Sequence, residues 1–177
     1  VNKGKTVFIG DTSVHEYPSS EELAEIAISS ARVVRLFGFD PKVAFVSHST
    51  FGQPLTSRTK HIKDAVNILK EKNVDFKFDG DMQPDVALND EYKELYPFSE
   101  IVGNANILIM PGRHSAAISF KLMKSLSAVK VVGPLLVGLG QPIEIAPLRS
   151  STSEILNLAS VAAYSSDIID YNNKKKN

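Results

Sequence analysis

The chain of 177 residues is long enough to bury a core, and its 20 basic and 20 acidic residues cancel, so no net field recruits nucleic acid or an anionic membrane. Hydrophobic residues make up 43% with no apolar run as long as a membrane span. Cysteine is absent, which excludes disulfides and thiolate chemistry from this chain. The four histidines, His15, His48, His61 and His114, have no metal-ligand spacing, so no metal is expected here. These features, with no signal-peptide pattern at the start, fit a cytoplasmic protein. Val1 and the linker-like Asn2 to Lys5 point to a piece of a longer polypeptide.

Thr6 to Gly10 reads as a short strand that empties into Asp11-Thr12-Ser13. Ser19 and Glu22 have the spacing of a capping box. Leu23, Ile26, Ala27, Ala31, Val34 and Phe37 then recur at threes and fours, which predicts a helix stopped by Gly38. Val43 to Val46 is a buried strand ending abruptly in Ser47-His48-Ser49-Thr50-Phe51-Gly52-Gln53-Pro54. At the carboxyl end of a strand, the hydroxyls of Ser47, Ser49 and Thr50 and the backbone at Gly52 can hold a phosphate; such a turn can equally satisfy its own backbone. A second helix from about Ser57 to Lys72 buries Ile62, Ala65, Val66 and Leu69. Strand, helix, strand, helix implies right-handed crossovers and a parallel sheet.

Asp75 to Asp79 alternates like a half-buried strand and runs into Gly80-Asp81-Met82-Gln83-Pro84-Asp85. The acids and the glutamine of that loop hold a cation, polarise a ligand group, or cap the short helix Val86 to Leu88. After an acidic helical turn from Asp90 to Leu95, Ile107 to Met110 predicts a strand covered on both faces. It exits at Pro111-Gly112-Arg113-His114-Ser115, which puts a cation and a titratable ring at the ligand edge, and the next helix should carry Ile118, Leu122 and Leu126 inward. Val131 to Pro142 suits a tightly packed strand and turn, Ile143 to Ile145 a short strand, and Thr152 to Tyr164 a closing helix before the solvated tail Lys174 to Lys176.

Ser47 to Gly52, Asp79 to Ala87, Lys121-Leu122, and Gly133-Pro134-Leu135-Leu136 with Gly138-Leu139 and Pro142 together resemble the phosphotransacetylase (phosphate acetyl/butyryl transferase) family, over about Val7 to Tyr164. Ser47 to Gly52, Tyr96-Pro97-Phe98-Ser99 and His114-Ser115-Ala116 look like one branch, the carboxyl-terminal domain of bacterial hybrid NADP-dependent malic enzymes. The resemblance implies an α/β fold, three-layer α/β/α with a mostly parallel sheet, of the isocitrate/isopropylmalate dehydrogenase-like type. Residues 1–146 would be the second lobe, and 147–177 a helix returning to an absent first lobe plus a basic tail. It also implies acetyl-CoA and phosphate-type ligands, a homo-oligomer, no nucleic-acid or membrane partner, and no cofactor in this chain, with NADP and a divalent metal held by an upstream malic-enzyme domain. The implied ligand residues are Ser47, Ser49, Thr50, Gly52, Asp81, Gln83, Arg113 and His114.

In working transacetylases CoA attacks acetyl phosphate, which needs a base for the thiol proton and cations for the phosphate leaving group. The family pattern near the end is Ser-Arg-Gly followed by an acid proposed as the base; without a gap, those positions here hold Pro147, Leu148, Arg149 and Glu154. A one-residue slip would bring Arg149 onto the family arginine. Glu154 as base and Arg149 as phosphate anchor are therefore the candidate catalytic residues, but Pro147 offers neither hydroxyl nor N–H and Leu148 no charge. The expectation is a regulatory, acetyl-CoA-binding and oligomerisation module of a malic enzyme that has lost transferase activity. The alternative is an active phosphate acetyltransferase converting acetyl-CoA and phosphate to acetyl phosphate and CoA.

Overall fold

Strands without polar alternation need cover on both faces, and the two such strands of this chain lie side by side at the centre of a sheet. The computed structural model describes residues 5–11, 13–126, 131–139 and 141–176, with side chains to residue 166. They fall into two units, 1–129 and 130–177. The first holds β1 (Phe8–Gly10), α1 (Ser20–Leu36), β2 (Lys42–Val46), α2 (Ser57–Glu71), β3 (Lys77–Met82), α3 (Pro84–Leu88), a 3-10 turn (Asp90–Tyr92), β4 (Ile107–Ile109) and α4 (Arg113–Leu126). All four strands run parallel in the order β1-β4-β2-β3.

Alternate residues of the central strands serve opposite layers. Val43, Phe45, Ile107 and Ile109 pack with Leu23, Ala27 and Val34 of α1 and Ile62, Val66 and Leu69 of α2. Ala44, Val46, Leu108 and Met110 pack with Val86 and Ala87 of α3, the buried segment Ile101-Val102, and Ala116 of α4. This is the expected three-layer α/β/α arrangement. The connections leaving β1 and β2 go to one face and the one leaving β4 goes to the other, so the carboxyl end of β4 is the topological switch point, the place where α/β sheets bind ligands. Asp11, the loop 47–53, Asp81 to Gln83, and Arg113-His114 all stand along that edge.

Local signals explain the helices. Ser19 Oγ accepts the Glu22 N–H at 3.1 Å, and Glu22 Oε2 accepts the Ser19 N–H at 2.7 Å, the reciprocal capping box read from the sequence. His61 Nε2 of α2 donates to the Pro18 carbonyl at 2.7 Å while its Nδ1 meets Ser20 Oγ at 2.8 Å, which ties the starts of α1 and α2 together.

Four expectations need correction. β3 runs to Met82 rather than stopping at Asp79, because Gly80 packs flat against Phe45 and lets pairing continue. Ile118, Leu122 and Leu126 face outward, at 64%, 55% and 78% exposure, and only Ala116 of α4 is buried. Periodicity correctly marks an apolar stripe, but the surface that would cover it is not supplied by the first unit. No strand forms among the described residues of 131–151, Ile143 to Ile145 included. The closing helix, α5 (Thr152–Lys176), extends through the segment read as a tail; the side chains of Lys174 to Lys176 lie outside the described residues.

Gly80 has φ +149, and a Cβ there would come within 2.7 Å of Phe45 Cβ and 2.8 Å of Phe45 O. Gly80→Ala is expected to cost about 3–5 kcal/mol from clash plus strain. Gly38→Ala, at φ +81 but with open space around it, should cost only about 1–2 kcal/mol. Urea denaturation of both variants checks this; equal losses would mean that close approach plays no part.

Candidate functional site

One carboxylate shapes the crevice edge. Phe45 pairs with Gly80 but Val46 pairs with Met82, so Asp81 is the extra residue of a bulge, a device that re-aims a side chain. Asp81 is 1% exposed. Fully buried Ser49 donates its hydroxyl to Asp81 Oδ2, the Gly52 N–H donates to Oδ1 at 2.9 Å, and the Phe51 N–H donates to the Asp81 carbonyl at 2.6 Å. Ser47 Oγ accepts the Ser49 N–H at 3.3 Å. Thr50 Oγ1 accepts the Gln83 N–H at 3.3 Å, and the Gln83 side-chain amide donates to the His48 carbonyl at 3.1 Å.

Six of the sequence-derived site residues, Ser47, Ser49, Thr50, Gly52, Asp81 and Gln83, thus form one network. Within it the donors of Ser49 and Gly52 already serve an internal anion. Hydrogen bonds to a charged group contribute about 1.5–3 kcal/mol each, so the loop is braced, and its outward groups are the exposed His48 and the half-buried Thr50.

The same brace sets an unusual turn. Thr50 and Gln53 exchange backbone hydrogen bonds, and the two residues between them have positive φ, 51° at Phe51 and 80° at Gly52. Glycine takes that conformation freely, whereas in phenylalanine it costs about 1–2 kcal/mol.

Arg113 and His114 face a different partner. Arg113 Nη2 lies 3.4 Å from Glu16 Oε2, His114 Nε2 lies 3.4 Å from Glu16 Oε1, and the Arg113 N–H donates to the Glu16 carbonyl at 3.3 Å. The exposed ring of Tyr17 stacks on His114 at 6.3 Å. Sequence reasoning missed Glu16; its only signal was a position in the polar loop after β1. It also passed over Asp11, whose carboxylate turns back on the N–H groups of Ser13, Val14 and His15 at 3.3, 2.8 and 3.0 Å and pairs with His15 Nδ1.

Arg149 and Glu154 belong to the second unit. There Ser151 caps α5: its Oγ accepts the Glu154 N–H at 3.3 Å, and Glu154 Oε2 accepts the Ser151 N–H at 2.8 Å and hydroxyl at 3.0 Å. The candidate base is therefore engaged as the acid of a capping box. It also borders a small recess lined by Val131, Gly133, Pro147, Ser150, Asn157 and Leu158 among others. Leu148 is fully exposed.

The doubly covered parallel sheet, with a braced hydroxyl loop at its carboxyl edge, is an α/β architecture, and residues 1–163 match the phosphate acetyl/butaryl transferase family. The chain belongs to that family. Among particular relatives, it is 46% identical over 162 residues to the NADP-dependent malic enzyme of Rhizobium meliloti (strain 1021), covering 92% of this chain and 21% of that enzyme. It is 36% identical over 154 residues to the phosphate acetyltransferase of Bacillus subtilis (strain 168), covering 86% of this chain and 48% of that one. A phosphotransacetylase structure from Streptococcus pyogenes superposes with a TM-score of 0.88 at 31% identity, over 93% of this chain and 50% of that chain. The chain therefore spans about a fifth of the Rhizobium meliloti malic enzyme and about half of the Bacillus subtilis and Streptococcus pyogenes proteins. No helix among the described residues is long and apolar enough to cross a membrane.

The Asp11 carboxyl is held below its ordinary value of 3.8: burial would raise it, but the N–H groups of Val14, His15 and Ser13 and the His15 ring more than reverse that. A depressed folded-state value gives stability that is complete above the unfolded-state value and is lost as pH falls through the folded one. Stability should therefore drop as pH falls below about 4. Asp11→Asn should lower stability at pH 7 by about 1–2 kcal/mol and flatten that acid limb. Denaturation series at pH 7 and across the acid range test it; an unaltered acid limb in the variant would remove Asp11 from this role.

Proposed function

We propose that this chain is the phosphotransacetylase-like carboxyl-terminal domain of an NADP-dependent malic enzyme, the enzyme of oxidative malate decarboxylation, and acts there as an acetyl-CoA-binding regulatory and oligomerisation module of a cytoplasmic homo-oligomer. The observation that carries this reading is that the Glu154 carboxylate serves the cap of α5; in the ungapped register Pro147 and Leu148 would also take the positions where a transferase needs a hydroxyl and a cation. The match to a malic enzyme of which the aligned residues make up only 21% supports it. NADP and the divalent metal of such an enzyme belong to the part of the polypeptide upstream.

In this reading the ligand edge is the loop Ser47 to Gly52, with Asp81 and Gln83 as its brace and Arg113 and His114 at its rim. Glu16 must release both side chains before an anionic ligand can use them. Acetyl-CoA regulates only if it binds two global states unequally. Titrated into the full-length protein during malate oxidation, acetyl-CoA is expected to change the rate saturably. A flat response up to millimolar acetyl-CoA would overturn the effector role.

The second reading, an active phosphate acetyltransferase, is favoured by the Bacillus subtilis match and by Arg149 standing one residue from the family arginine position. Loss of a leaving-group cation costs on the order of a thousandfold in rate. Thiol release from acetyl-CoA plus phosphate is therefore expected at no more than about a thousandth of the roughly 10 s⁻¹ typical of enzymes. Glutamine can replace glutamate in a capping box, so Glu154→Gln keeps α5 capped while removing the base. Any residual thiol release should fall in that variant if Glu154 is the base, and an unchanged rate would exclude it.

A further inference from the structure

Three aromatic rings outside the network above meet beside the loop 47–53. The Phe51 ring centroid lies 4.8 Å from that of Phe98 and 5.3 Å from that of Tyr96, and Tyr96 and Phe98 stand nearly perpendicular at 6.2 Å. Phe51, at positive φ, donates its N–H to the Asp81 carbonyl. Phe98 sits in a tight turn closed by the Ser99 N–H donating to the Tyr96 carbonyl at 3.1 Å, with Pro97 inside it and the buried Ser99, Ile101 and Val102 following. Yet Phe98 is 70% exposed. A strained turn that would favour asparagine or glycine instead carries a ring, and a preordered neighbouring turn presents a second ring to solvent.

We propose that Phe51, Tyr96 and Phe98 form a stacking platform for the adenine ring of a CoA-type ligand. The proposal rests on the acetyl-CoA reading above and names the part of the ligand that these rings take. The platform stands at the carboxyl edge of the sheet, and Phe51 is bonded in the chain to Thr50 and Gly52 of the polar loop, so a base on the rings carries its phosphates toward that edge. Three partly covered rings offer well under the roughly 800 Å² per side that a stable protein interface buries, but they suit one planar base. A base stacked on an aromatic side chain gains about ten- to a hundredfold in affinity.

The test is calorimetric titration of the full-length protein and its Phe98→Ala and Phe98→Tyr variants with acetyl-CoA, adenosine 3′,5′-bisphosphate and acetyl-phosphopantetheine. Sedimentation of each variant is measured alongside. Because Phe98 is largely exposed, Phe98→Ala should melt like the parent. It should bind acetyl-CoA and the bisphosphate about ten- to a hundredfold more weakly, bind acetyl-phosphopantetheine unchanged, and be rescued by Phe98→Tyr. Acetyl-CoA binding that ignores the ring overturns the platform alone. Ring-dependent binding of both acetyl-CoA and the bisphosphate, with malate oxidation unaltered by acetyl-CoA, supports the platform and overturns the effector reading. Binding of none of the three ligands overturns both, and a change of oligomeric state in place of ligand affinity overturns the platform in favour of a contact between copies.

Discussion

The buried carboxylate of Asp81 is the constraint on which the ligand edge depends. An acid inside a sheet is costly unless it is hydrogen-bonded, and here the cost is offset by donors from a single neighbouring loop, the Ser49 hydroxyl and the Gly52 N–H. The bulge between β2 and β3 aims it there, and Gly80, packed against Phe45, makes the bulge possible. Phe51, at positive φ, is tied to the same residue by its N–H bond to the Asp81 carbonyl. The loop therefore takes its shape from β3, a strand some thirty residues later, and not from its own turn residues.

This gives the edge an unexpected electrostatic character. A site expected to receive an anionic ligand carries acids of its own at each step: Asp81 within the loop, Glu16 against Arg113 and His114, and Asp11 turned on backbone N–H groups. A transferase needs uncommitted cations around a leaving phosphate. Here Arg113 and His114 share the carboxylate of Glu16, which suits recognition by exchange, where a ligand displaces Glu16, better than it suits catalysis. The capping role of Glu154 agrees with that view.

The apolar stripe of α4 belongs to the same account. Ile118, Leu122, Met123 and Leu126 stay exposed in a chain that spans about half the length of the Bacillus subtilis transferase it matches, and such a stripe is a ready contact for the oligomer proposed above.

What the sequence by itself determined is the part governed by short-range spacing. The capping box of α1, the buried faces of α1 and α2, the doubly covered strands β2 and β4, and the parallel order all follow from periodicity and polar exits a few residues apart. The segments of the ligand edge were legible for the same reason, since loops at strand carboxyl ends of a parallel sheet must share one edge. Only the tertiary structure decided which groups on that edge face each other: that Asp81 meets Ser49 and Gly52, that Glu16 takes Arg113 and His114, and that Phe51 reaches Tyr96 and Phe98. It also decided that the stripe of α4 faces outward and that Ile143 to Ile145 forms no strand. The physical reason is common to all of these. Partners separated by tens of residues are chosen by sheet register and by what surface lies opposite, and neither leaves a trace in local sequence spacing.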